Sequence, residues 1–217
     1  MPFGCATWPA FWTYGDNWPN QGEIDIIENV HNANSNLQTL HTNEGCNEAS
    51  ESKSLFSGDW SNGNTNCNVY ETGNSGCGIV GPENSYGDSF NQRNGGMYAM
   101  EWTSDFIRIF FFPRGSIPSD ISTGQPNPSQ WGTPVGYWTL NDSICSAGHF
   151  RAHKVTFDIT FCGDWAGNTF TQSCPNESKG GQVSCVDYVQ SNPSEFAQTY
   201  WLINSLQVFR SSSSTSK

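Results

Sequence analysis

Glu23-Ile24-Asp25-Ile26-Ile27-Glu28 is the stretch on which the reading of this sequence turns. In an extended strand successive side chains point to opposite faces, so Glu23 and Asp25 share a wet face while Ile24 and Ile26 enter a core. Strict alternation sends Glu28 to the dry face, where an ionised carboxylate without a partner is costly. A β-bulge at Ile26-Ile27 supplies the one extra residue that returns Glu28 to the side of Glu23 and Asp25. Three like charges in a row ionise together only with difficulty, so the carboxyl in the most apolar or crowded surroundings keeps its proton to higher pH. The stretch thus reads as a strand that separates a protonated acid from an ionised one.

That division suits hydrolysis of a glycoside with retention. One carboxylate attacks the anomeric carbon while a protonated carboxyl about 5–5.5 Å away donates to the departing oxygen. Acids on the wet face of an amphipathic strand are also commonplace without any chemistry, so the surroundings decide. Trp8, Trp12 and Trp18 precede the acids in a stretch punctuated by Pro and Gly, and large aromatics beside acids are what a sugar-binding cleft requires.

Outward from this strand, β-type runs rich in aromatic and β-branched residues recur at 37–42, 98–103, 106–112, 155–161 and 200–209. No long helical periodicity competes, and the chain reads as all-β. A short helix is expected where Asn192 caps and Pro193 opens the first turn. Residues 42–98 hold Gly, Asn and Ser with three cysteines, a length that is improbable as free loop and implies disulfide staples. One domain over 1–210 is expected, with the serine-rich 211–217 as a disordered tail.

The 217 residues carry 9 Lys plus Arg against 20 Asp plus Glu, a net charge of −11, which repels nucleic acid. Charged residues are 13% and aromatics 14%, with nine Trp, a mixture suited to a neutral, hydroxyl-rich polymer with apolar faces. No apolar run reaches membrane-spanning length, so no membrane partner is expected. Eight cysteines without a C-x-x-C pair read as disulfides, and with sequons at Asn141 and Asn176 they point to secretion. His149 and His153 have helical metal-ligand spacing but sit at the approach to a strand, and the expected metal and cofactor set is none.

The motifs TWPAFW (7–12), WPNQGEIDIIE (18–28), YAMEWTSDFIRIFFFPRG (98–115) and FCGDWAG (161–167) together resemble the fungal laminarinase-like branch of glycoside hydrolase family 16. The resemblance runs from Met1 to about Arg210. It implies a β-jelly-roll sandwich with an open cleft on its concave sheet, and a retaining endo-β-glucanase of β-1,3- or mixed β-1,3/1,4-glucans that works as a monomer. It further implies Glu23 as nucleophile, Glu28 as acid/base and Asp25 as the carboxylate tuning both. His41 would face the cleft, Trp18 and Trp165 would stack on glucose rings, and Trp12 and Trp102 are candidates for cleft or core. Arg114 matches a recurring position without an assigned role. Cell-wall transglycosylation and non-catalytic glucan binding are the alternatives on this fold. Members of the family carry further strands before the segment matching Met1-Pro2-Phe3-Gly4, so unpaired edges and exposed apolar surface are expected here.

Overall fold

The computed structural model describes residues 1–49 and 52–210; the expected serine-rich tail lies outside them. Among the described residues nine strands form two antiparallel sheets: β1 (Thr7–Gly15), β2 (Glu23–Glu28), β3 (Ser35–His41), β4 (Asp59–Trp60), β5 (Cys77–Glu83), β6 (Gly96–Trp102), β7 (Phe106–Pro113), β8 (Gly136–Thr139) and β9 (His153–Phe161). The larger sheet runs β4-β5-β3-β2-β1-β9 and the smaller β6-β7-β8. Helices are short, the longest described one being Cys185–Ser191.

The two sheets close on one apolar layer. Ile24, Leu40 and Ile79 descend from the larger sheet onto Ile107, Ile109 and Trp138 of the smaller, all fully buried. At about 25 cal/mol per Å² this layer dominates the favourable side of folding. The Trp138 indole, buried with it, donates to the Cys77 carbonyl at 3.1 Å, so the burial leaves no unpaired polar group there. The acids of β2 therefore occupy the opposite, concave face.

Disulfides hold what the sheets do not. Cys67–Cys77 and Cys46–Cys145 pin residues 42–98, as the cysteine content predicts. Cys5–Cys174 and Cys162–Cys185 tie the segment after β9 into a second cluster around Phe170.

One expectation fails and a second, the short helix opened by Asn192 and Pro193, holds only in part. Residues 200–209 form no strand: Trp201 anchors the segment to β9, its indole on the Asp158 carbonyl (2.8 Å) and its ring against Phe157. Apolar composition alone does not make a strand without a ladder partner, and Leu202, Leu206 and Val208 remain exposed. Asn192 caps no helix with its side chain; it donates to the Tyr188 carbonyl at 2.8 Å and so closes the preceding helix, while Pro193–Phe196 is a single 3₁₀ turn.

Candidate active site

β2 is central in its sheet, between β1 and β3. Its pairing shifts on both sides: Glu23, Asp25 and Glu28 oppose Tyr14, Trp12 and Ala10 of β1, and His41, Thr39 and Leu37 of β3. The partners step by two while β2 steps by two and then three, which is the expected bulge at Ile26-Ile27. Ile26 and Ile27 are both buried, and the three acids share the concave face. His41 stands directly across from Glu23, its Nε2 3.9 Å from Glu23 Oε1 and 3.2 Å from Asp25 Oδ2. The chain passes close behind the imidazole at Gly76, where φ is +59° and a Cβ would lie 2.9 Å from the ring.

Enclosure sets the protonation of the row. Burial, with the charge of Asp25, pushes Glu23 up from 4.5 to about 8, and the same two causes push Glu28 up from 4.5 to about 8. Asp25, fully buried, is held well above the ordinary carboxylate range by desolvation and by Asp158. Two kinds of group oppose this. His41 lowers both glutamates, and each receives an indole: Trp18 bonds Glu23, and Trp8 Nε1 donates to Glu28 Oε1 at 2.8 Å. Glu28 is the more deeply enclosed, whereas Glu23 has the imidazole beside it, so a single remaining charge settles on Glu23. Once the row gives up one proton it therefore holds both a proton donor and a charged carboxylate.

The other expected residues divide. Trp12 lies on the concave face opposite Asp25, stacked on Tyr14 at 4.8 Å, its indole on Asp158 Oδ2 at 3.1 Å. Trp18 is exposed, and Trp165 packs edge-on against Trp8 at 5.8 Å. Trp102 is not brought to the acids: it belongs to the smaller sheet and packs on the His153 ring at 4.9 Å. Arg114 follows β7, where its Nε donates to the Asn94 carbonyl. His153 is engaged at both nitrogens, by Thr13 Oγ1 at 2.8 Å and the Gln21 carbonyl at 2.7 Å.

Comparison with known proteins agrees with this geometry. The family described as XgeA-like, catalytic GH16 domain matches residues 1–209. The chain belongs to glycoside hydrolase family 16. Within the family it is 44% identical to a probable glycosidase of Schizosaccharomyces pombe, over 97% of this chain and 49% of that one. It is 46% identical to a probable endo-1,3(4)-beta-glucanase of Aspergillus fumigatus, over 95% of this chain and 31% of that one. The chain thus spans from about a third to about half the length of these two relatives. The solved Laminarinase 16A, in a mutant that cyclizes laminariheptaose, superposes with a TM-score of 0.82 at 44% identity, over 93% of this chain and 66% of that one. An elongating family 16 beta-1,3-glucosyltransferase superposes with a TM-score of 0.80 at 43% identity, again over 93% and 66%. The sandwich is accordingly the jelly roll of family 16.

Three residues of this candidate site escaped the sequence reading as parts of the acid row: Trp8, Asn36 and Asp158. Trp8 was legible only as a nearby aromatic, because Pro9 argues against a central strand. Pro9 lies just before Ala10–Tyr14, the part of β1 that pairs with β2, so its missing N–H falls outside that ladder. Asp158 reaches the row through a pairing across β1, in which Ala10 opposes both Glu28 and Asp158. Among the described residues, ligand-type side chains gather in three places: the row itself as Glu23–Asp25–His41, Cys5–Cys174–Glu177, and Cys46–Glu48–Cys145. In the last two the sulfurs are disulfides and offer no thiolate.

Proposed function

We propose that this chain is a retaining endo-β-glucanase that cuts β-1,3- or mixed β-1,3/1,4-glucans by double displacement. The observation that carries the reading is the bulged strand β2, which sets two glutamates with an indole each on either side of a buried aspartate. In the first step Glu23 attacks the anomeric carbon while Glu28 passes its proton to the departing glycosidic oxygen. In the second, Glu28 takes a proton from water as that water displaces Glu23, and the row returns to its starting charge. Asp25, held above the ordinary carboxylate range by burial and by Asp158, stands between the two glutamates and tunes their protonation. Trp12, Trp18 and Trp165 supply apolar faces for glucose rings. The names of the relatives, and a Laminarinase 16A solved with beta-glucans in donor and acceptor sites, support this substrate class.

Residues 1–210 are read as one catalytic unit acting as a monomer. Four disulfides favour an oxidising, extracellular setting. Among the described residues no helix is long and apolar enough to cross a membrane. The test is Glu23→Gln against the parent chain on laminarin, lichenan and cellulose, with anomeric NMR of the first product. Release of short β-anomers by the parent and none by the variant is the expected result; equal turnover by both rejects the assignment. A second reading, transglycosylation, is favoured by the likeness to the elongating glucosyltransferase. Products longer than the donor at high donor concentration would select it.

A further inference from the structure

The bulge that turns Glu28 onto the concave face takes backbone groups of β2 out of register, and one side chain meets two of them. Pairing with β3 shifts between Asp25 and Glu28, which leaves local N–H and C=O groups in need of other partners. The Glu28 N–H donates to Asn36 Oδ1 at 2.9 Å, and Asn36 Nδ2 donates to the Ile26 carbonyl at 2.9 Å. Asn36 is completely buried.

A second irregularity aims it there. The pairing of β3 with β5 shifts between Ser35 and Leu37, and the Asn36 N–H leaves that ladder for Ser85 Oγ at 2.8 Å. Ser85 Oγ donates on to the Pro82 carbonyl at 2.6 Å, while the Ser85 carbonyl accepts the Tyr98 hydroxyl of the smaller sheet at 2.5 Å. A run of hydrogen bonds therefore joins the smaller sheet to the backbone of Glu28, with the Asn36 amide as its last member.

We propose that Asn36 is a positioning residue that locks the β2 bulge and thereby holds the Glu28 carboxyl where a general acid must stand. The inference rests on the proposed glucanase reading. A side-chain amide meets both demands, accepting from one backbone group and donating to the other. Aspartate of the same length offers an oxygen to the Ile26 carbonyl, and leucine offers neither group. Without the lock β2 relaxes toward regular alternation, which carries Glu28 toward the core face. Glu23 and Asp25 precede the bulge and keep their places.

The test separates positioning of the acid from general damage by the leaving group. A dinitrophenyl laminarioligosaccharide departs without protonation, whereas a glucan does not. Asn36→Ala and Asn36→Leu are compared with the parent by kcat/KM on both substrates, with far-UV circular dichroism and urea unfolding as folding controls. The expected loss is about a hundredfold on laminarin, the scale of a misplacement near 1 Å, and under about tenfold on the activated substrate. Added azide, which captures the glycosyl-enzyme without a general base, raises kcat of the variants on the activated substrate. Equal losses on both substrates by a folded variant overturn the inference. A parent chain inactive on both substrates overturns the glucanase reading itself, and this inference with it. If both Asn36 variants fail to fold, Ser85→Ala removes the two outer bonds made by its hydroxyl, leaves the Asn36 amide in place, and must show the same leaving-group dependence, smaller in size; its absence counts against the proposal.

Discussion

The substitution Glu28→Gln should make the protein more stable in alkali, at a position where most substitutions destabilise. The amide keeps the shape of the side chain and an oxygen for the Trp8 indole, but has no acidic proton to lose. The sign follows from linkage. Glu28 has its folded-state pKa raised from 4.5 to about 8, so between those values the folded chain binds more protons than the unfolded one. Stability must then fall as pH rises through this window, with the penalty absent below it and complete above it. At about 1.4 kcal/mol for each tenfold in proton affinity, a rise from 4.5 to about 8 bounds the penalty at roughly 5 kcal/mol for a carboxyl titrating alone. Part of the rise comes from Asp25 beside it, and coupled carboxyls titrate as a set, so about 2–3 kcal/mol is the expected gain. Urea unfolding with disulfides intact, at about pH 4.5 and about pH 9, measures it as the change in the variant-minus-parent difference. A difference that stays constant between the two pH values, or a variant that loses more stability than the parent in alkali, refutes the electrostatic account of the row.

Further perturbations test neighbouring bonds. Trp8→Phe removes the donor that favours the charged form of Glu28, so the alkaline limb of the kcat/KM profile should move up by about one pH unit; a downward move contradicts the bond's role. His41→Gln removes the group that lowers Glu23, and the acidic limb of the same profile should rise while the alkaline limb rises with it or stays. The double change Cys46→Ser with Cys145→Ser opens a loop of sequence separation 99 and should cost roughly 4–5 kcal/mol in urea unfolding of the oxidised chain.

Legibility in the sequence follows the range of each interaction. The strand Glu23–Glu28 was readable to the residue, because the alternation of acid and isoleucine breaks at one place and a bulge is the local repair that keeps Glu28 off the core face. β3, β6, β7 and β9 followed from aromatic and β-branched runs, with ends displaced by one or two residues. The run at 200–209 has the same composition and forms no strand, since pairing depends on an available edge in register, which composition does not encode. β1 was hidden by Pro9, whose missing donor is harmless only because of where the β2 ladder begins.

By itself, then, the amino-acid sequence determined the all-β class, the family, the bulged acid strand, and disulfide staples in 42–98. These are carried by periodicity and motifs within a few residues. Only the tertiary structure decided which indoles reach which glutamate, that Trp102 lies on the other sheet, and that Asn36 and Ser85 join a second bulge to the first. Asn36 and Glu28 meet because two ladders slip in the same neighbourhood, and Asp158 meets the row because Ala10 stands between them. Such contacts depend on the register of strands far apart in sequence, and register is settled by the packing of the whole sheet.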